Sequence, residues 1–178
     1  MKKSQFLLLD AGPIIKLFEL GLWEKFIAVY GVTITRTVIE EVVHTDRCSC
    51  LDYIDFPFEK AAEQGRIKII DMAPSTIRSF LQQSTLETRY AIDAGEAETL
   101  TFLANSSEDF TLCAADGAVF SALGFLSKAE KGVSLEELLQ QTGFKPSSQL
   151  EWRFTKRFRE KYTKLGQVDS IRGQGFAT

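Results

Sequence analysis

Acidic side chains recur in this sequence at positions from which they could meet. Asp10 ends the apolar run Phe6-Leu7-Leu8-Leu9 and precedes Ala11-Gly12-Pro13, and Asp116 closely follows Phe110-Thr111-Leu112-Cys113 and precedes Gly117. Between them lie two glutamate pairs, Glu40 with Glu41 and Glu96 with Glu98. Carboxylates brought together repel one another and titrate upward unless a divalent cation holds them. An oxygen-only ligand set, poor in His and Cys, suits Mg²⁺ or Mn²⁺. Such ions clamp phosphates and activate water for in-line attack. Each aspartate also has a simpler reading, because Asp directly before a helix is a favoured N-cap contributing about 1 kcal/mol.

The elements around these residues alternate between strand and helix. Phe6–Leu9 is apolar without alternation, as a strand covered on both faces of a parallel sheet should be. Pro13 to Tyr30 carries Ile14, Leu17, Phe18, Leu22, Phe26 and Val29 at helical spacing, with a break expected at Gly21. Val32 to Thr35 reads as a short strand, followed by a helix with the stripe Val38, Ile39, Val42 and Val43. Ala61 to Gln64 reads as helix, Ile67 to Ile70 as strand, and Ser75 to Gln83 as a polar helix. A helix is expected over Gly95 to Ala104, a strand over Phe110 to Cys113, and a further helix after Asp116. Ser134-Leu135-Glu136-Glu137 opens another helix with a capping box, and Gly143 closes it. This alternation makes an α/β fold with a central parallel sheet the natural architecture. The composition shifts after Pro146. Residues 1–145 are expected to form the domain and 146–178 a basic helical extension, helical over 147–164 and frayed through Gly166, Gly173 and Gly175.

Helical geometry discriminates between some of the glutamates. On the second helix the stripe centre falls between Glu40 and Glu41, leaving each roughly 130° away, so periodicity does not choose. On the Asp93 helix, Ala97, Leu100, Leu103 and Ala104 define a face. Glu96 lies about 50° from its centre and Glu98 about 150° away. A glutamate beside an apolar face needs a cation or donors, so Glu96 is expected to face a site and Glu98 to point outward.

Bulk properties exclude several classes. The chain has 178 residues, 44% hydrophobic and 25% charged, the composition of a globular domain. A net charge of −3 means that any polyanion contact must come from a local patch. The three cysteines, an odd number, form no disulfide framework and fit a reducing compartment. No stretch approaches the ~20 apolar residues of a membrane span. The opening Met1-Lys2-Lys3 lacks the run length and cleavage site of a signal peptide, so a cytoplasmic location and no membrane partner are expected. His44, Cys48 and Cys50 are close in sequence, but without a second ligand pair they do not make a zinc site. Cys113 reads as core. No nucleophile elbow and no phosphate-binding glycine loop is present. Arg153 to Lys164 interleaves cations with Trp152, Phe154, Phe158 and Tyr162. That pattern fits either RNA binding or an amphipathic helix with its aromatics packed on the body.

The order and surroundings of the acids resemble the PIN-domain family of metal-dependent ribonucleases. Leu9-Asp10-Ala11-Gly12-Pro13-Ile14-Ile15-Lys16-Leu17 is similar to its opening motif. Thr35-Arg36-Thr37-Val38-Ile39-Glu40-Glu41-Val42 is similar to the second, where a glutamate directly precedes an aliphatic residue. That match selects Glu41. Gly95-Glu96-Ala97-Glu98 with Leu100 resembles the third motif, with Glu96 as its acid, and Ala115-Asp116-Gly117-Ala118 resembles the fourth. The likeness runs from about Phe6 to Gly143. Two features depart from it: Ala114 stands where many members carry Ser or Thr, and Arg47–Phe58 and the tail from Ser147 lie outside the common pattern.

The resemblance implies a three-layer α/β/α sandwich with Asp10, Glu41, Glu96 and Asp116 as catalytic and metal-binding residues around Mg²⁺ or Mn²⁺. The implied activity is endonucleolytic hydrolysis of RNA, single-stranded or structured, as in the toxins of toxin–antitoxin pairs. Its implied partners are an antitoxin protein and a second copy of the chain. The alternative is a degenerate PIN-like scaffold that binds RNA or protein without cutting.

Overall fold

The computed structural model of the chain describes residues 6–45 and 57–174. Strands β1 (Phe6–Leu9), β2 (Gly31–Thr35), β3 (Ile67–Ile70), β4 (Phe110–Cys113) and β5 (Gly132–Val133) form one all-parallel sheet in the order β3-β2-β1-β4-β5. The fold is therefore α/β, as the alternating pattern implies. The helices are α1 (Ala11–Glu19), α2 (Trp23–Val29), α3 (Arg36–Thr45), α4 (Phe58–Glu63), α5 (Pro74–Ser84), α6 (Leu86–Arg89), α7 (Ala94–Asn105), α8 (Gly117–Phe125), α9 (Leu135–Thr142) and α10 (Lys156–Gln174).

Both faces of the sheet are covered, which explains the unbroken apolar run of β1. Leu7 and Leu9 enter one core with Ile14, Phe26, Val38 and Leu138, whereas Leu8 enters another with Leu100, Phe120 and Phe158. Side chains alternate across a strand, so successive leucines reach opposite cores. Two cores on opposite faces are compatible with three layers. The break expected at Gly21 is present: α1 ends at Glu19, Gly21 adopts φ +63°, and α2 starts at Trp23. The capping box at Ser134 is also formed. Ser134 Oγ accepts from the Glu137 amide, Glu137 Oε2 accepts from the Ser134 amide at 3.0 Å, and Gly143 closes α9 at φ +70°.

The strand order positions the site. From β1 the chain builds outward through β2 to β3, then returns to lay β4 and β5 on the other side of β1. The reversal leaves a crevice at the carboxyl ends of β1 and β4, the place where open α/β sheets bind ligands. Leu9 pairs with Cys113, and the Asp10 amide donates to the Cys113 carbonyl at 3.1 Å. Asp10 and Asp116 thus follow adjacent strands at one edge.

The tail differs from the expectation of a helix over 147–164 with a frayed end: residues 147–151 are not helical, and the long helix begins at Lys156. A 3-10 turn at Trp152–Phe154 leads into α10, which continues through Gly166 and Gly173 to Gln174. The glycines are sites of close approach rather than breaks. A Cβ on Gly166 would lie 1.8 Å from the Ser121 carbonyl oxygen, and one on Gly124 would lie 2.2 Å from that of Thr163. Helices α8 and α10 therefore cross backbone against backbone. Phe158 is buried at this junction, Phe154 is buried in the core on the other face of the sheet, and Arg159 donates two hydrogen bonds to Glu137 of α9, at 2.8 and 2.9 Å. Among the described residues, no helix is long and apolar enough to cross a membrane.

Candidate functional site

Asp10 and Glu96 form the floor of the candidate site. Asp10 is 7% exposed and Glu96 4% exposed, while Glu41, Asp93 and Asp116 are exposed at its rim. Asp10 occupies the N-cap position of α1, yet its side chain does not accept the capping hydrogen bond there. The simple helix-cap reading therefore does not account for it. Asp116 does cap its helix, accepting from the Ala118 amide at 2.6 Å.

Glu96 is placed by a reciprocal capping box at the start of α7. Its amide donates to Asp93 Oδ1 at 2.8 Å, and its Oε2 accepts from the Asp93 amide at 3.1 Å. Gly95 lets α3 approach this turn. A Cβ at that position would lie 3.0 Å from Glu41 Oε2 and 3.6 Å from Asp93 Oδ1. The two carboxylates therefore flank the same backbone. Sequence reasoning left Asp93 out of the site, although the spacing Asp93-Ala94-Gly95-Glu96 is a capping-box signature that ties one acid to the other.

Burial dominates the electrostatics, and like charge adds to it. Burial pushes the Asp10 carboxyl up to about 7, against the Ala11 amide, and the charges of Glu41, Asp93 and Asp116 push it further. Burial likewise raises Glu96 to about 8, opposed by the Asp93 amide and assisted by Asp93, Asp116 and Asp10. Glu41 is raised by burial of its carboxylate and by Asp93. The fields of these acids thus reach one another across α1, α3, α7 and α8.

Glu98 does not follow the periodicity. Expected to point outward, it is 1% exposed. Its Oε2 accepts from the Thr37 amide at 3.0 Å and its Oε1 from the Met72 amide at 2.8 Å. Rather than one buried face, α7 has every position from Gly95 to Thr101 buried, because it lies between the sheet, α3 and α5. Glu98 stitches the first turn of α3 to the chain beyond β3, and the Thr35 and Thr99 hydroxyls, 3.2 Å apart, support the same junction. Glu98→Ala leaves two amides without their acceptor and is expected to cost about 2 kcal/mol, read by urea unfolding. A loss too small to measure would show that water replaces the carboxylate.

A cavity of about 390 Å³ adjoins the rim, lined by Thr37, Glu40, Glu41, His44, Asp93, Ala94 and Gly95. His44 Nδ1 is 2.6 Å from the Glu40 carbonyl oxygen. Cys48 and Cys50, weighed with His44 as zinc ligands, lie outside the described residues, as does most of the Arg47–Phe58 segment. Cys113 is buried as expected.

The donor set is all oxygen and strongly anionic, the chemistry a hard divalent cation requires. Among the described residues, no group of three or more His, Cys, Asp or Glu is arranged to hold an ion directly. Mg²⁺ is commonly held by one or two carboxylates, with waters and substrate phosphates completing the shell, so a full protein cage is not a requirement. Compared with known proteins, the chain matches no family model and no curated sequence.

Proposed function

We propose that this chain is a Mg²⁺- or Mn²⁺-dependent endoribonuclease with a PIN-like three-layer fold, of the kind that acts as a toxin. One observation carries the reading: beside the switch point of a parallel sheet, burial together with the charges of neighbouring acids raises Asp10 to about 7 and Glu96 to about 8. Carboxyls raised by burial and by specific neighbouring charges are candidates for a functional site. The order of the acids supplies the chemical class through its likeness to PIN ribonucleases.

Asp10, Glu96 and Asp116, with Glu41 facing them, would hold the cation. When bound it neutralises phosphate charge and lowers the pKa of a water for attack. The residues' own contributions follow from their placement. Asp10 and Glu96 give up protons as the site is charged, and their burial keeps the floor at low dielectric, where electrostatic interactions are strong. Asp116, exposed and held by the Ala118 amide, would offer its carboxylate to the cation from the solvent side. Asp93 keeps Glu96 in place through both arms of the capping box. In the hydrolysis, water oxygen bonds to phosphorus, the bond to the 3′ oxygen breaks, and that oxygen takes up a proton.

The test is cleavage of end-labelled single-stranded RNA with Mg²⁺ or Mn²⁺. Wild type is expected to cut, EDTA to stop it, and Asp116→Asn to abolish it. Equal cleavage by the variant would assign the activity to a contaminant and remove the proposal. A second reading, a non-cutting PIN-like scaffold, is favoured by the lack of a ready-made three-ligand group among the described residues and by the missing hydroxyl at Ala114. RNA binding without cleavage at any Mn²⁺ concentration would select it. An antitoxin, a second copy of the chain and a cytoplasmic location belong to the same proposal. Sizing by light scattering, alone and with a candidate antitoxin, checks the two partners.

A further inference from the structure

An acidic cleft repels the polyanion it is proposed to cut, so cations must hold the strand beside it. The chain carries a net charge of −3, yet α10 concentrates positive charge on one side. Arg157, Lys161 and Lys164 recur at intervals of four and three residues and are all exposed, so they share one face. Among the described residues, none of the three has a carboxylate within 4 Å. Their neighbours are neutralised, Arg159 by Glu137 and Lys156 by Glu160 at 3.7 Å.

Tyr162, on the α8 side of the same helix, links this face to the residue after Asp116. Lys161 Nζ lies 5.1 Å from the centroid of the Tyr162 ring. The ring presses on Gly117, where a Cβ would be only 2.6 Å from it, and Gly117 directly follows Asp116. At the other end, Trp152 is 50% exposed, with its ring edge-on to Phe158 at 6.0 Å. Phe154 and Phe158 face inward and are unavailable for stacking. The glycine-mediated contact with α8 occupies the opposite side of the helix, while Leu165 and Ile171 of α10 are 48% and 72% exposed, so a lipid surface is the competing partner that the experiment has to separate.

We infer that the outer face of α10 binds the segment of single-stranded RNA adjoining the acid cluster. Arg157, Lys161 and Lys164 would contact its phosphates, and Trp152 would stack on a base. The identity of the polyanion rests on the ribonuclease reading; the surface itself does not.

The experiment is fluorescence anisotropy of a labelled single-stranded oligoribonucleotide in EDTA, where no cleavage enters. The triple variant R157E/K161E/K164E is compared with K25E/K60E/K68E, which makes the same charge change at exposed positions on α2, α4 and β3. The α10 variant is expected to bind at least tenfold more weakly, and its slope of log K against log salt to fall by about 2. The control is expected to change affinity less than about twofold, and Trp152→Ala to lose about fivefold. Equal weakening by both triples, no weakening, or no binding by wild type would overturn the inference. So would loss of binding to phosphatidylserine vesicles that RNA does not compete for, since that pattern belongs to a membrane. If the α10 variant binds weakly while wild type never cuts with Mn²⁺, the surface stands and the ribonuclease reading falls. Metal-dependent cutting with affinity indifferent to α10 gives the reverse.

Discussion

Asp10→Asn is expected to abolish Mn²⁺-dependent RNA cleavage, by on the order of 10³-fold, while making the metal-free protein more stable at pH 8. The first effect follows from removing a charge that would hold the cation, a contribution of several kcal/mol to the transition state. The second follows from the cost of the buried carboxylate. Asp10 is pushed up from 3.8 to about 7 and Glu96 from 4.5 to about 8, so each keeps its proton in the folded chain where the unfolded chain has lost it. Between about pH 4 and 8 the unfolded state therefore binds fewer protons, and stability falls as pH rises.

The neutral floor is at full strength below pH 4, and its contribution is gone above about pH 8. Asparagine carries no charge at any pH and removes the Asp10 share, on the order of 4 kcal/mol at pH 8. Urea unfolding in EDTA at pH 5 and pH 8 measures this. Parallel pH slopes for wild type and Asp10→Asn would sink the account. The same protons oppose metal, so Mn²⁺ is expected to raise the melting temperature of wild type more at pH 8 than at pH 6 and to leave Asp10→Asn nearly unmoved.

Gly166→Ala is expected to destabilise the protein by on the order of 3 kcal/mol, the opposite of what helix propensity dictates. In an ordinary exposed helix interior, alanine stabilises by about 1 kcal/mol over glycine. Here the new Cβ would lie 1.8 Å from the Ser121 carbonyl oxygen and 2.9 Å from the Phe125 amide nitrogen. Backbone cannot yield as a flexible side chain does. Helices α8 and α10 must move apart, and the overpacking cost is joined by lost burial at Phe158 and Phe120, whose rings meet edge-on at 6.2 Å. Thermal unfolding of Gly166→Ala beside Gly173→Ala, where the nearest obstacle is the flexible end of Arg89 at 3.0 Å, separates the two effects. A stabilised Gly166→Ala would show that the helices are not in close contact in solution.

The sequence by itself determined most of the elements, though not β5, α6 or the start of α10. Apolar runs set β1 and β4, a capping box set the start of α9, and Gly21 set the break between α1 and α2, because these signals are local. It also placed Asp10 and Asp116 at strand ends, leaving open whether those strands are neighbours. Only the tertiary structure decided that, through a strand order that puts β1 beside β4 at the switch point. Tertiary packing also decided what periodicity misjudged. Helix α7 is enclosed on every side over Gly95–Thr101, so Glu98 is buried as a cap for α3, and Asp93 joins the acids through its box with Glu96. The glycines of α10 read as breaks because nothing in the local chain reveals an opposing helix; against α8 they are the positions where two backbones touch. Burial and mutual repulsion are properties of assembled neighbours. The shifts at Asp10 and Glu96, which turn two ordinary carboxylates into the floor of a candidate metal site, exist only once α1, α3, α7 and α8 have met.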